Sequence, residues 1–77
     1  MDYTERHRFG ERIRQLRTAK SWTQEDLAGE CGLDRSYVSG LEVGRRNPTY
    51  LSLLRIAKTL GTQLVTLLDF RTPPKAR

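Results

Sequence analysis

Three residues, Gly32-Leu33-Asp34, separate two segments that each carry helix-start and helix-stop signals. A joint of that length and composition is what a helix-turn-helix turn requires, and Gly32 permits the bend. The segment before the joint opens with Thr23-Gln24-Glu25-Asp26-Leu27. Thr23 suits the N-cap, and Asp26 sits three residues on as an acidic variant of the capping box. Trp22 and Leu27 have the spacing of a hydrophobic staple, and the acids Glu25 and Asp26 suit the positive end of the helix dipole. This helix is expected to reach about Cys31, with Gly32 as its stop. The segment after the joint starts at once: Asp34 suits the N-cap, Leu33 and Val38 repeat the staple spacing, and Gly44 ends the helix after Val43.

The rest of the chain is helical in pattern, and strand-like alternation is nearly absent. Phe9, Ile13 and Leu16 recur at i, i+4, i+7 on one face of a first helix. Its other positions are largely charged, and Lys20-Ser21 closes it. Arg45-Arg46-Asn47-Pro48 reads as a polar loop. Thr49 can cap a fourth helix, Tyr50 to about Leu60, with Leu51, Leu53, Leu54 and Ala57 expected inward and Gly61 as its stop. A short fifth helix is expected over roughly Gln63 to Asp69. The remaining residues, Arg71 to Arg77, are basic with adjacent prolines and are expected to form a disordered tail. The expected architecture is all-α, five short helices in one domain spanning residues 1–70, followed by a basic tail at 71–77. With 77 residues, one domain is the upper bound.

Charge narrows the function. Fourteen Lys and Arg face nine Asp and Glu, a net charge of +5. Eleven of the fourteen are Arg, whose planar fork suits phosphate and guanine edges. A nucleic-acid partner and a merely solvated basic surface both fit that balance. No apolar run approaches the roughly 20 residues of a membrane span, and no signal-peptide pattern opens the chain, so no membrane role and a cytoplasmic, nucleoid-associated location are expected. Cys31 is the single cysteine and His7 the single histidine. Together they cannot make a zinc site without several carboxylates, and Cys31 fits a small buried position better than redox chemistry. No catalytic set, Gly-rich phosphate loop or paired carboxylates stand out, so no enzyme activity, metal or cofactor is expected.

At about 100° per residue, Val38 and Leu41 mark the buried side of the helix after the joint. Ser36, Ser39, Gly40 and Val43 fall on the outward side, flanked by Arg35 and Tyr37. That face is small and polar, where a helix made for solubility would carry Glu and Lys. Gly40 weakens the helix by roughly 0.5–1 kcal/mol relative to alanine. Its outward position leaves a bare backbone on that face, which under the nucleic-acid reading would let the helix approach its partner closely.

The residues T-Q-E-D-L-A at 23–28, G-L-D at 32–34, Y-V-S-G-L-E-V-G at 37–44, R-R-N-P-T at 45–49 and L-L-R-I-A at 53–57 resemble the Cro/repressor-type (Xre) helix-turn-helix family. The resemblance covers roughly residues 8 to 69. Within the family, L-D-R-S-Y-V-S-G-L-E is most similar to the small controller proteins of restriction–modification systems. It implies a compact, lambda-repressor-like five-helix DNA-binding domain whose third helix, about residues 35–43, enters the major groove. Base contacts are then implied for Arg35, Ser36, Ser39 and Val43. Arg35 is suited to guanine, and Val43 to a thymine methyl. Phosphate contacts are implied for Thr23 and Gln24 at the start of the second helix, and for Arg45, Arg46 and Asn47 in the following loop. Tyr37 either offers its hydroxyl to a phosphate or packs its ring on the edge of the core. Glu42, an acid on a DNA-reading helix, is matched with Arg17 as a structural pair. One departure from the family pattern is Gln63, where Ser or Thr usually precedes the last helix.

The implied function is a transcriptional regulator that binds a palindromic double-stranded DNA operator as a homodimer. Dimers of this kind read half-sites one turn, about 34–36 Å, apart. Leu64, Val65, Leu67, Leu68 and Phe70 are too many apolar residues for one short helix to bury on one side. A two-fold interface through Leu64, Val65, Leu68 and Phe70 is expected. RNA polymerase is a further partner such a regulator would recruit. The alternative is an antitoxin that masks a toxin and autoregulates its operon.

Overall fold

The structure, a computed structural model, describes residues 1–70; the tail expected at 71–77 lies outside them. It contains five helices and, among the described residues, no strand.

The first helix, α1 (Tyr3–Ala19), begins ahead of the apolar spacing that marks it. Asp2 and Glu5 form a reciprocal capping box there. At its other end Ser21 adopts φ 60, the left-handed conformation usually left to glycine. Ser21 N–H donates to Thr18 O and Trp22 N–H to Arg17 O, closing the helix in a Schellman pattern.

Thr23 and Asp26 exchange hydrogen bonds of 2.9 and 3.0 Å at the start of α2 (Gln24–Cys31). Gly32 ends it at φ 70. The next helix, α3 (Arg35–Glu42), departs from expectation at its start. Asp34 occupies the N-cap backbone position, yet its carboxylate does not cap the helix. It accepts instead from the Ser36 hydroxyl at 2.7 Å.

The fourth helix, α4 (Tyr50–Leu60), starts with a Thr49–Ser52 box. Its buried face is Ser52, Ile56, Ala57 and Leu60, with Leu53 half-buried. Leu51 and Leu54, expected inward, are 56% and 39% exposed. The physical reason is Ser52. Its hydroxyl bonds Tyr37 and Thr49 inside the fold, so a polar residue claims the inward row that apolar spacing alone would give to Leu51. The last helix, α5 (Leu64–Leu67), is shorter than expected, and Gln63 precedes it without a side-chain cap.

The core gathers Phe9 and Ile13 of α1, Leu27, Ala28 and Cys31 of α2, Val38 and Leu41 of α3, Ile56, Ala57 and Leu60 of α4, and Leu67 of α5. α3 packs against both α1 and α2. The α1 crossing is close: a Cβ on Gly10 would lie 2.4 Å from the carbonyl oxygens of Leu41 and Glu42. Two arginines of α1 reach the other way. Arg12 donates to Thr66 O and Asp69 O, and Arg8 to Phe70 O. These bonds hold the end of α5 and the residues after it against α1.

Candidate nucleic-acid interface

The joint between α2 and α3 turns one face of α3 to solvent. Arg35, Ser36 and Val43 are exposed on it, Val43 by 53%, while Ser39 is half-buried. The Ser36 hydroxyl faces the Asp34 carboxylate rather than standing free.

Gly40 is not bare. It is buried, and the loop after α3 covers it. A Cβ there would fall 2.7 Å from Arg46 Cγ and 3.5 Å from Arg45 Nη2. The expectation of an open backbone facing DNA is therefore corrected. A helical wheel places Gly40 outward but carries no information about a chain segment that folds back over it. The same loop is tied at the backbone, where the N–H groups of Arg45 and Arg46 both donate to Gly40 O, at 2.9 and 3.2 Å.

Tyr37 adopts the packed alternative. Its ring lies against the core edge, and its hydroxyl bonds Ser52 Oγ at 3.0 Å and accepts from Thr49 N–H at 3.2 Å. The same hydroxyl also lies 3.5 Å from Asn47 O. The Arg46 guanidinium carbon stands 5.6 Å from the centre of the same ring, within cation–π range. Arg45 and Asn47 are exposed beside it.

Behind α3, Glu42 is 7% exposed and has three charge-assisted or amide bonds. Arg17 Nε donates to Glu42 Oε2 at 2.6 Å, and Nη2 to Oε1 at 2.9 Å. Gln24 Nε2 donates to Oε1 at 3.1 Å. Arg17 Nη1 also donates to Trp22 O at 2.7 Å, so one guanidinium joins α1, the α1–α2 link and α3. The hydrogen bond to Glu42 raises the Arg17 pKa above its ordinary value, against the opposing pull of burial. The Gln24 side chain is thereby turned toward α3, which leaves Thr23 exposed and the backbone N–H groups at the start of α2. Burial also pushes the Cys31 thiol up, partly offset by a hydrogen bond with Thr59.

The residues expected at an interface between copies lie together. Leu64, Val65, Leu68 and Phe70 border one apolar hollow. Val65 is 70% exposed, and Leu64, Leu68 and Phe70 are half-buried against the core. The exposed Leu51 and Leu54 of α4 add to the apolar surface.

Several contributors were hidden from the sequence. Arg6 Nε donates to Gly44 O at 2.9 Å, which ties the start of α1 to the end of α3. Gly10 and Ser52 carried a faint signal, a glycine inside a helix and a serine at the third helical position. Arg6 carried none. Among the described residues no group of three or more His, Cys, Asp or Glu could hold a metal, and no helix is long and apolar enough to cross a membrane.

Residues 13–67 match the Helix-turn-helix family model. The chain is 48% identical over 65 residues to the control protein C.BamHI of Bacillus amyloliquefaciens, covering 83% of this chain and 80% of that protein. It superposes on the restriction–modification controller protein C.AhdI of Aeromonas hydrophila with a TM-score of 0.81 and 46% identity, covering 84% of this chain and 98% of that one. SinR of Bacillus subtilis, a master regulator for biofilm formation solved in complex with DNA, gives a TM-score of 0.76 and 34% identity over 79% of this chain and 98% of that one. With five helices around an α2–α3 joint and a family match across most of the described residues, the chain belongs to the Cro/repressor-type (Xre) helix-turn-helix family.

Proposed function

We propose that this protein is a sequence-specific DNA-binding transcriptional regulator of the restriction–modification controller kind. The carrying observation is the small, exposed face of α3, braced from behind by the Arg17–Glu42–Gln24 network. A rigid helix with Arg35 at its N-terminal end suits the major groove, which admits one helix and is read by short side chains and an arginine fork. In this reading Arg35, Ser36, Ser39 and Val43 meet base edges. Thr23, the α2 N-terminal N–H groups at Gln24, and Arg45, Arg46 and Asn47 meet phosphates. Similarity to C.BamHI and C.AhdI supports the controller assignment, and the DNA complex of SinR supports the partner.

The unit that binds is a homodimer on a palindromic operator, paired through Leu64, Val65, Leu68 and Phe70. It acts at the nucleoid in the cytoplasm by occupying a promoter or by recruiting RNA polymerase. Residues 1–70 form the binding domain and residues 71–77 a basic tail.

Selection of bound duplexes from a random pool tests this. A symmetric motif with half-sites one helical turn apart is expected. A pool with no enriched sequence would overturn the reading.

A further inference from the structure

We propose that Gly40 and Tyr37 form a platform that positions Arg46, so that the arginine reaches the DNA backbone already oriented. The inference rests on the DNA-binding reading above. Three observations converge on it. The Gly40 carbonyl accepts the amides of both Arg45 and Arg46, which folds the loop back along α3. The open space at Gly40 is filled by the Arg46 stem, because a Cβ would stand 2.7 Å from its Cγ and 3.5 Å from its Cδ. The guanidinium then lies over the Tyr37 ring at 5.6 Å, and that ring is itself anchored through its hydroxyl to Ser52 and Thr49.

Tyr37 and Gly40 are neighbours on the helix surface at i, i+3. The arginine stem therefore runs along one edge of α3, beside the outward face that holds Ser36 and Val43. An exposed arginine normally samples many rotamers, and ordering it on binding costs free energy. Seating the stem over a residue without a side chain, with an aromatic face beneath the charge, removes part of that cost beforehand. Alanine at Gly40 would meet the stem near its root, where the clash cannot be relieved by moving only the far end. The whole side chain must swing away.

The test uses the full chain and a duplex selected from the random pool. In the free parent, Tyr37 ring current should shift the Arg46 Cδ and Nε protons upfield, and Gly40→Ala should abolish that shift while the helical circular dichroism and melting temperature hold or rise. Gly40→Ala should weaken binding about tenfold and flatten the dependence of log K on log salt by about one unit, as one lost phosphate contact does. The double variant Gly40→Ala, Arg46→Ala should bind no worse than Arg46→Ala alone. An unchanged Arg46 proton shift in Gly40→Ala overturns the platform. Unchanged affinity and slope in that variant, with a parent that binds, overturn its role while the DNA reading stands. A selection that enriches nothing overturns both.

Discussion

Arg17 and Glu42, 25 positions apart in sequence, meet in a two-bond fork of 2.6 and 2.9 Å between α1 and the end of α3. Both side chains are largely withdrawn from water, at 11% and 3% exposure. Removing one partner leaves the other ion without its match, which is the costly way to break such a pair. Glu42→Ala should therefore lower stability by about 3 kcal/mol, read as a lower urea midpoint. Because Glu42 raises the Arg17 pKa, the arginine's share of the stabilisation is present below its ordinary value and is lost only as pH climbs past the raised one. Neutral and mildly alkaline buffers should leave that share intact. An unchanged midpoint for Glu42→Ala would dismiss the pair as a brace.

Gly10 makes the opposite kind of prediction to a surface glycine. Alanine normally favours a helix interior by about 1 kcal/mol. Here its Cβ would press on two backbone carbonyls of α3, at 2.4 Å. Backbone cannot step aside as a side chain does, so Gly10→Ala should destabilise by about 2 kcal/mol in thermal or urea unfolding. Stabilisation instead would mean that α1 and α3 are not in this contact.

Ser21 sits at φ 60 with a Cβ that this conformation crowds. Ser21→Gly should raise stability by about 1 kcal/mol, visible as a melting temperature several degrees higher. A lower melting temperature would show that the turn after α1 has another shape.

Cys31 is buried, and its thiol is held above the ordinary value chiefly by that burial. The fold thus favours the protonated thiol, and stability should decline as pH rises beyond the thiol's ordinary value. Alkylation by iodoacetamide at pH 8 should be at least about tenfold slower than in urea-unfolded chain, since the thiolate is the nucleophile. Equal rates would place Cys31 at the surface.

Val65 is 70% exposed in the apolar hollow assigned to self-association. Val65→Glu should leave monomer stability within about 0.5 kcal/mol, as surface changes do, and weaken association by at least about tenfold. Sedimentation equilibrium reads this directly; parent and variant with one association constant would move the interface elsewhere.

The helices were largely legible because their ends are written locally. Thr23 with Asp26, Thr49 with Ser52, and the glycines 32, 44 and 61 are signals within a few residues of each boundary. The Arg17–Glu42 match came from family resemblance, and no local pattern could have supplied it. What stayed hidden depends on contacts between distant segments. Leu51 and Leu54 seemed inward because apolar spacing ignores a serine that earns burial through hydrogen bonds to Tyr37 and Thr49. Gly40 seemed open because a helical wheel has no loop in it. Arg8 and Arg12 read only as charges on α1, and their bonds to carbonyls of the α5 region depend on a segment more than fifty residues away.

Those two arginines give α1 a mechanical meaning. One face of the same helix packs on α3 at Gly10 and is tied by Arg6 to the turn just past it, and its flank holds the segment from Thr66 to Phe70. In the proposed dimer, the separation of the two reading helices is then set by a stiff strut rather than by a hinge. Such a protein measures the distance between half-sites as a ruler does, and an operator with one base pair inserted at its centre should be rejected even though every base it reads is intact.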